Sequence, residues 1–202
     1  MNRLLVKEYG LDVLYRHDYD DLGDEIASYV EQSCEYLKAF LTNVPGSEKF
    51  YRVLDIGCGG HEALDFFERM GLRQAWGVDK YPQSQDPRIV KGDFYELSKL
   101  SGFFNHPFDV IFINHTLEHS LAPLLLEQVR KVHNKGGVIF VAVPDADYSW
   151  AYDITSSTTH WSIFNEGFLR TLLQRYGYES TVEKVCLRDN RGELWAVGIK
   201  RW

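Results

Sequence analysis

The sequence repeatedly places a short apolar run directly before a glycine or an acidic residue, and follows it with helical spacing. The first run, residues 51–56, stops at Gly57-Cys58-Gly59-Gly60, after which Leu64 and Phe67 begin a helical face that closes at Gly71. Further short runs, rich in β-branched or aromatic residues, occupy 74–78, 88–90, 108–113 and 138–143. Such runs are too short for helices, so strands alternate with helices. This alternation predicts parallel strand pairing in an α/β sheet.

The remaining periodic segments complete this architecture. Helical spacing covers 24–42 before the first strand, and again 121–132, where it stops at Asn134-Lys135-Gly136-Gly137. A last helix is predicted between a capping Asn165 and a terminating Gly177. A hairpin follows, with strands at 181–187 and 194–199 around a turn at 189–192. We therefore predict a Rossmann-like three-layer sandwich whose seven-stranded sheet is mainly parallel, with the last strand antiparallel.

Polar or glycine residues follow successive strands at the point where each strand ends. Asp55, Gly57 and Gly59 close the first strand, and Asp79 ends the second, 22 residues after Gly57. Asp93 follows the third strand and Asn114 ends the fourth. The carboxyl ends of parallel strands form the ligand-binding edge of an open sheet, and a carboxylate there can accept hydrogen bonds from ribose hydroxyls. The spacing thus predicts a single ligand crevice.

The motifs that carry this pattern resemble those of class I S-adenosylmethionine-dependent methyltransferases. They are Val-Leu-Asp-Ile-Gly-Cys-Gly-Gly at 53–60, Gly-Val-Asp at 77–79, Gly-Asp-Phe at 92–94, Phe-Asp-Val-Ile at 108–111, Leu-Glu-His at 117–119 and Lys-Gly-Gly at 135–137. His-Trp-Ser-Ile-Phe at 160–164 resembles the tail of small-molecule members. The resemblance covers about residues 50–145 in the expected order.

The resemblance implies S-adenosylmethionine as cofactor, S-adenosylhomocysteine as product and a small-molecule acceptor methylated on oxygen, nitrogen or carbon. It implies a glycine loop beside the methionine part of the cofactor, Asp79 on the ribose and Asp93 near the adenine. The expected cofactor-binding residues are Asp55, Gly57, Cys58, Gly59, Asp79, Lys80, Gly92, Asp93, Phe94, Asn114 and His115. Because imidazole accepts protons near neutral pH, His115, His119 and His160 are the candidates for a general base.

At 202 residues the chain has the length of one α/β domain. Within the single domain 1–202 we predict an N-terminal helical cap at 1–48, a cofactor-binding core at 49–145, a substrate lid loop at 146–164, and a C-terminal helix and β-hairpin at 165–202. The lid contains Tyr148, Trp150, Tyr152 and Trp161, while Tyr9, Tyr15, His17 and Tyr19 precede the first helix.

A net charge of -7 argues against nucleic acid as a partner. No stretch reaches the roughly 18 apolar residues that a membrane span needs. The three cysteines, Cys34, Cys58 and Cys186, are odd in number and widely spaced, which predicts no disulfide framework, no thiolate metal site and a cytoplasmic location. Oligomeric state is not predicted.

Alternative functions are suggested where the sequence departs from the methyltransferase motifs or partly matches the motifs of other families. His61 occupies the place of the third glycine usual in the family, and leaves open a cofactor-binding regulatory domain without transferase activity. Glu62 stands where a dinucleotide-binding fingerprint needs its third glycine, and no phosphate-loop motif follows. His115-Thr116-Leu117-Glu118-His119 matches the pattern of inverted zinc peptidases, which leaves a zinc hydrolase as a distant alternative. We predict no metal ligands for the transferase itself.

Overall fold

Seven strands form one sheet in the computed structural model, which describes residues 23–102, 106–148, 160–186 and 192–202. The strands are β1 (Arg52–Ile56), β2 (Gln74–Asp79), β3 (Ile89–Lys91), β4 (Phe108–Asn114), β5 (His133–Pro144), β6 (Tyr178–Cys186) and β7 (Gly192–Lys200). Their order is β3-β2-β1-β4-β5-β7-β6. β7 runs antiparallel to both neighbours, whereas the other pairs are parallel. The predicted sheet is confirmed.

Helices cover both faces of this sheet and give the three-layer sandwich. They are α1 (Gly23–Leu41), α2 (Glu62–Arg69), α3 (Ala122–Val132) and α4 (Glu166–Arg175), with 3-10 segments at Ser47–Lys49 and Phe94–Gly102. One core joins α1 and α2 to the sheet through fully buried side chains such as Leu37 and Phe67. The other joins α3 and α4 to the opposite face, through Leu125 and Leu169. No helix within the described ranges is long and apolar enough to cross a membrane.

The boundary between α3 and β5 differs from the prediction. We expected a loop at 134–137, but β5 begins at His133, directly after α3 ends at Val132. His133 pairs with Phe108, and the pairing then shifts register before Val138 meets Val110. This irregularity takes up the extra residues within the strand, so the predicted loop is wrong.

The ends of the C-terminal elements agree more closely with the sequence. The side chain of Asn165 accepts a hydrogen bond from the amide of Phe168 at 2.9 Å, which confirms the predicted cap of α4. β6 begins at Tyr178, three residues before the predicted strand. Residues 187–191, which include most of the hairpin turn predicted at 189–192, lie outside the described residues.

The order in which successive strands are added to the sheet reverses between β1 and β4. The chain runs outward from β1 through β2 to β3, and then crosses back to place β4 on the other side of β1. Loops that leave β1 and β4 diverge at this point, and the resulting crevice beyond the strand ends is where open α/β sheets bind ligands. The fold therefore brings Gly57 and Asn114 to one edge.

Candidate active site

The loop after β1 leaves open space beside its second glycine. Gly57 has a φ of 75°, and a Cβ there would lie 2.2 Å from Oγ1 of Thr116, in the loop after β4. Gly59 has a φ of 57°, and a Cβ there would meet nothing within 4 Å. Gly57 is therefore required by close packing, whereas Gly59 borders an open cradle.

Carboxylates at the tips of β2 and β3 lie beside this cradle. Asp79 accepts a hydrogen bond from the amide of Gly59 at Oδ2 (2.9 Å) and from the amide of Tyr81 at Oδ1 (2.6 Å). The ammonium of Lys80 lies 3.8 Å from Oδ2 of Asp93. The structure thus brings Asp79, Lys80 and Asp93 to the same edge of the sheet.

Asp55 supplies a third carboxyl group to this edge. Its side chain is buried, and no residue in the described part of the chain donates a hydrogen bond to it. Burial, together with the carboxylates of Asp79 and Glu62, raises the pKa of Asp55 well above its usual value. A buried carboxyl group in this state can donate a hydrogen bond as well as accept one.

Three further residues expected at the cofactor have mainly packing contacts. The side chain of Cys58 lies against β2, where a Cβ on Gly77 would approach its Sγ to 2.6 Å, and burial raises the pKa of the thiol. A Cβ on Gly92 would meet Leu100 at 2.7 Å. The ring of Phe94 packs edge-on against Tyr95.

His61 does not crowd the glycine loop. It precedes α2 with an ordinary negative φ of -111°, and its exposed ring lies 3.9 Å from a carboxylate oxygen of Asp65 on the same helix. The hypothesis of a regulatory domain without transferase activity rested on this residue alone. The observation that favoured it is therefore removed.

His115 is held between two buried carboxylates beyond β4. Its Nδ1 lies 3.2 Å from Oε1 of Glu118, and its Nε2 lies 2.9 Å from Oε1 of Glu193, at the start of β7. Burial lowers the pKa of His115, but the charge of Glu193 and the hydrogen bonds to both carboxylates outweigh it, so the pKa is well above its usual value. This shift favours the protonated form of His115, in which both ring nitrogens donate hydrogen bonds.

The other two histidines form a separate pair. The rings of His119 and His160 lie edge to face with centroids 4.7 Å apart. The carbonyl of Glu118 accepts hydrogen bonds from the amides of Trp161 (2.7 Å) and Ser162 (3.0 Å), which hold the two segments together. Residues 115–120 contain turns and no helix. The zinc hydrolase alternative requires His115 and His119 on one helix and is therefore wrong.

A comparison with protein families identifies the family of this chain. A family model described as a methyltransferase domain matches residues 26–183, well over half of the chain. The chain belongs to this methyltransferase family. It is an enzyme of the S-adenosylmethionine-dependent class, as the sequence predicted. Among curated proteins, no significant match is found.

Solved structures share the fold of this methyltransferase over nearly its whole length. The plantazolicin methyltransferase BpumL, in complex with SAH, aligns with a TM-score of 0.74 and 16% identity over 100% of this chain and 95% of that chain. A 1,6-didemethyltoxoflavin-N1-methyltransferase of Burkholderia thailandensis gives 0.67 and 18%, over 100% and 87%. A SAM-dependent methyltransferase of Archaeoglobus fulgidus gives 0.67 and 19%, over 85% and 94%. These likenesses confirm the predicted fold class.

The geometry of the methyltransferase fits its cofactor. A Cβ on Gly59 would meet nothing within 4 Å, so no side chain fills the space beside this residue. The two oxygens of Asp79 each accept one protein hydrogen bond and retain lone pairs for ribose hydroxyls. Asp55, which receives no hydrogen bond from the described residues, is a polar group left available to a ligand.

Several residues of the methyltransferase site were missed at the sequence level. Glu193 bonds to His115 and also accepts a hydrogen bond from the indole of Trp195 at 2.7 Å. Ser33, buried on α1, donates to the side-chain oxygen of Asn114 at 3.1 Å. Glu193 could have been found from the sequence, because it is a charged residue directly before the apolar run 194–197. Ser33 gave none, because its contact spans 81 residues.

The predicted lid is described only at its two ends. Tyr148 packs against β7, where a Cβ on Gly192 would lie 2.2 Å from its ring, and Trp161 is 60% exposed. Trp150 and Tyr152 lie outside the described residues, as do Tyr9, Tyr15, His17 and Tyr19. The lid and the subdivision of the domain stay predictions.

Proposed function

We propose that this methyltransferase acts on a small polar acceptor that enters beyond β4. The observation that carries the proposal is the set of polar side chains packed beside the glycine loop at this point: His115, Glu118, His119, His160 and Glu193. Because each of these side chains contacts at least one other member of the set, they suit a compact acceptor. The net charge of -7 disfavours a phosphate backbone. The plantazolicin and toxoflavin methyltransferases named above give this acceptor class additional support.

The residues around the glycine loop would hold the cofactor. When bound, S-adenosylmethionine supplies an electrophilic methyl group on a sulfonium. In this proposal Asp79 accepts hydrogen bonds from the ribose hydroxyls, and Asp93, with Phe94, lies at the adenine. Gly57, Cys58 and Gly59 contribute backbone, while Asp55 and Asn114 face the amino acid portion. Lys80 contributes by holding Asp93 in place, since their charged groups are 3.8 Å apart.

His115 and the histidine pair have different roles in this proposal. His115 bridges Glu118 and Glu193 through both ring nitrogens, so it positions the loop that follows β4. His119 lies on that loop, His160 packs against it, and in this proposal the pair borders the acceptor. Alignment of reactants and exclusion of water are the main requirements of a methyl transfer, and such a fixed polar wall provides the alignment.

We also propose that the reaction takes place in the cytosol. No disulfide joins the three cysteines, all of which lie in the described parts of the chain. Cys34 is buried and Cys58 packs against β2. Cysteines that form no disulfide are typical of proteins from reducing compartments.

Product formation tests the acceptor class. The full chain is incubated with methyl-labelled S-adenosylmethionine in four separate reactions. Each reaction contains one acceptor source: a small-molecule metabolite pool, total RNA, DNA or a protein fraction. We expect label and S-adenosylhomocysteine to appear with the metabolite pool. Transfer confined to RNA, DNA or protein would overturn the proposal.

Calorimetry tests the cofactor assignment. Asp79→Ala removes the acceptors for the ribose hydroxyls, and the cofactor is expected to bind about 10- to 100-fold more weakly, or roughly 1 to 3 kcal/mol. Glu48→Ala, which removes an exposed carboxylate from the short helix before β1, is the control and should bind normally. Normal affinity in Asp79→Ala would contradict the assignment.

A further inference from the structure

Three potential metal ligands converge beyond the end of β4. Glu118, His119 and His160 each offer one ligand atom, and these atoms all lie within 4.8 Å of one another. Ligands on a tetrahedral zinc ion are about 3.3 Å apart, given bond lengths near 2.0 to 2.1 Å. His119 and His160 are only partly buried, so small rotations of their side chains can close this gap.

The backbone fixes this convergence before any ion binds. Glu118 and His119 are adjacent, whereas His160 comes from a segment about 40 residues later. The amides of Trp161 and Ser162 both donate to the carbonyl of Glu118, and the hydroxyl of Ser162 donates to the carbonyl of Ser120 at 2.8 Å. These bonds involve immediate neighbours of the ligands. The backbone thus holds the two segments that carry the three ligands next to each other.

The carboxylate of Glu118 is the second observation that points to a cation. Its side chain is only 2% exposed. Oε1 contacts His115, but Oε2 is buried and accepts no hydrogen bond from any residue that the structure describes. Leaving a buried carboxylate oxygen without a partner is costly, and a bound cation removes that cost.

We propose that Glu118, His119 and His160 bind one divalent first-row transition ion, with zinc as the reference metal. Two imidazoles and one carboxylate are the ligand set of catalytic zinc sites and of non-haem iron sites, both of which keep open positions for water or substrate. Magnesium and calcium prefer oxygen ligands and suit this set poorly. His115 takes no part as a ligand, but its hydrogen bond orients the carboxylate of Glu118.

The use of this ion rests on the proposed function, whereas its binding does not. Two of the ligands, Glu118 and His119, belong to the loop after β4, which also carries Thr116, and Thr116 packs against the glycine loop. An ion there would present its open positions to an acceptor oxygen or nitrogen and orient it. The proposed site therefore departs from the expectation drawn from the sequence, which was that the transferase has no metal ligands.

Zinc titration of the protein alone tests the site. The full chain is stripped with a chelator, desalted and titrated with zinc against a chromophoric competitor. We expect one equivalent per chain in the wild type, and binding at least tenfold weaker in His119→Ala and in His160→Ala. His106→Ala, which removes an exposed histidine two residues before β4, should bind like the wild type.

The outcomes separate the site from nonspecific histidine binding. Absence of a stoichiometric site in the wild type overturns the proposal, as does equal zinc affinity in the wild type and both variants. His119→Gln and His160→Gln, together with melting curves of the metal-free proteins, replace any alanine variant that fails to fold. Visible absorption of the cobalt-loaded wild type should report a low coordination number, and the spectrum should be lost in the variants.

Methyl transfer then separates the ion from the acceptor proposal. If zinc binds but the metabolite pool yields no product, the site stands and the acceptor class fails. If the pool yields product at the same rate with and without a chelator, while zinc binding is confirmed, the site stands and its role in positioning the acceptor is overturned.

Discussion

The two halves of the proposed site are built by different means. The cofactor half, formed by Gly57, Gly59, Asp79 and Asp93, relies on backbone conformation and on carboxylates at strand tips. The acceptor half, formed by His115, Glu118, His119, His160 and Glu193, is a network of side chains from three distant segments. A half built from backbone tolerates change in its surroundings, whereas a half built from side chains can be altered one residue at a time. The shared fold can therefore keep its cofactor while the acceptor varies.

Gly57→Ala should produce the largest effect, because Gly57 lies at the seam between the two halves. The alanine must adopt the φ of 75° that Gly57 has, and its Cβ would lie 2.2 Å from Oγ1 of Thr116. Strain and overpacking together should lower the free energy of unfolding by about 3 kcal/mol, and cofactor affinity should fall as well. Urea denaturation and calorimetry measure the two effects.

Gly46→Ala is the matched control for this substitution. Gly46 also has a positive φ, 87°, but a Cβ there meets nothing within 4 Å. Its cost should be about 1 kcal/mol, from strain alone, with cofactor affinity unchanged. Equal destabilisation in the two variants would show that contact across the seam does not matter.

Acidification should lower the free energy of unfolding through His133. This residue begins β5, at the end of the strand away from the candidate site. Burial lowers the pKa of His133 to about 3, and the charge of Lys200 acts in the same direction, whereas Asp109 opposes it. Its Nδ1 lies 2.9 Å from the hydroxyl of Tyr178. The unfolded chain binds a proton near pH 6.5 and the native chain does not, so stability falls as pH drops below that value.

The expected loss from His133 is about 2 kcal/mol between pH 7 and pH 5. Denaturation curves at several pH values measure it in the wild type and in His133→Gln, which lacks the titrating group. The variant should show a smaller loss over this range. Parallel pH profiles in the two proteins would exclude His133 as the cause.

Glu193→Gln tests whether the halves are separable. The substitution keeps the shape of the side chain but removes the charge that faces His115. Turnover should fall about tenfold while cofactor affinity changes less than twofold, because lost charge-assisted hydrogen bonds are worth roughly 1.5 kcal/mol or more. Glu179→Gln, on an exposed position of β6, should leave both unchanged. A parallel fall in cofactor affinity would mean that the two halves act as one unit.

His61→Gly should produce the smallest effect, although it restores the glycine usual in the family. The ring of His61 lies in solvent beside Asp65 and away from the cradle. Cofactor affinity should therefore stay within about twofold of the wild type, since glycine is also accepted at a helix N-cap. An affinity gain of tenfold or more in calorimetry would show that the imidazole does obstruct the cofactor loop.

The same division explains what could be predicted from the sequence. Asp55 and Asp79 lie at the carboxyl ends of their strands and Asp93 follows β3 within two residues, so the order of short apolar runs was enough to place them at one edge. The pairing of His115 with Glu193 joins residues 78 positions apart, and β7 must be inserted beside β5 before they meet. The start of β5 was mispredicted for a related reason, because its register shift depends on its partner β4.

The insertion of β7 between β5 and β6 also bears on how the enzyme is made. β7 follows the other six strands in the chain, so a ribosome delivers it after them. Until it arrives, β5 has an unpaired edge and His115 lacks one of its two carboxylates. Pairing of β7 with β5 thus completes both the sheet and the acceptor half. A nascent chain that ends before β7 cannot contain a complete site.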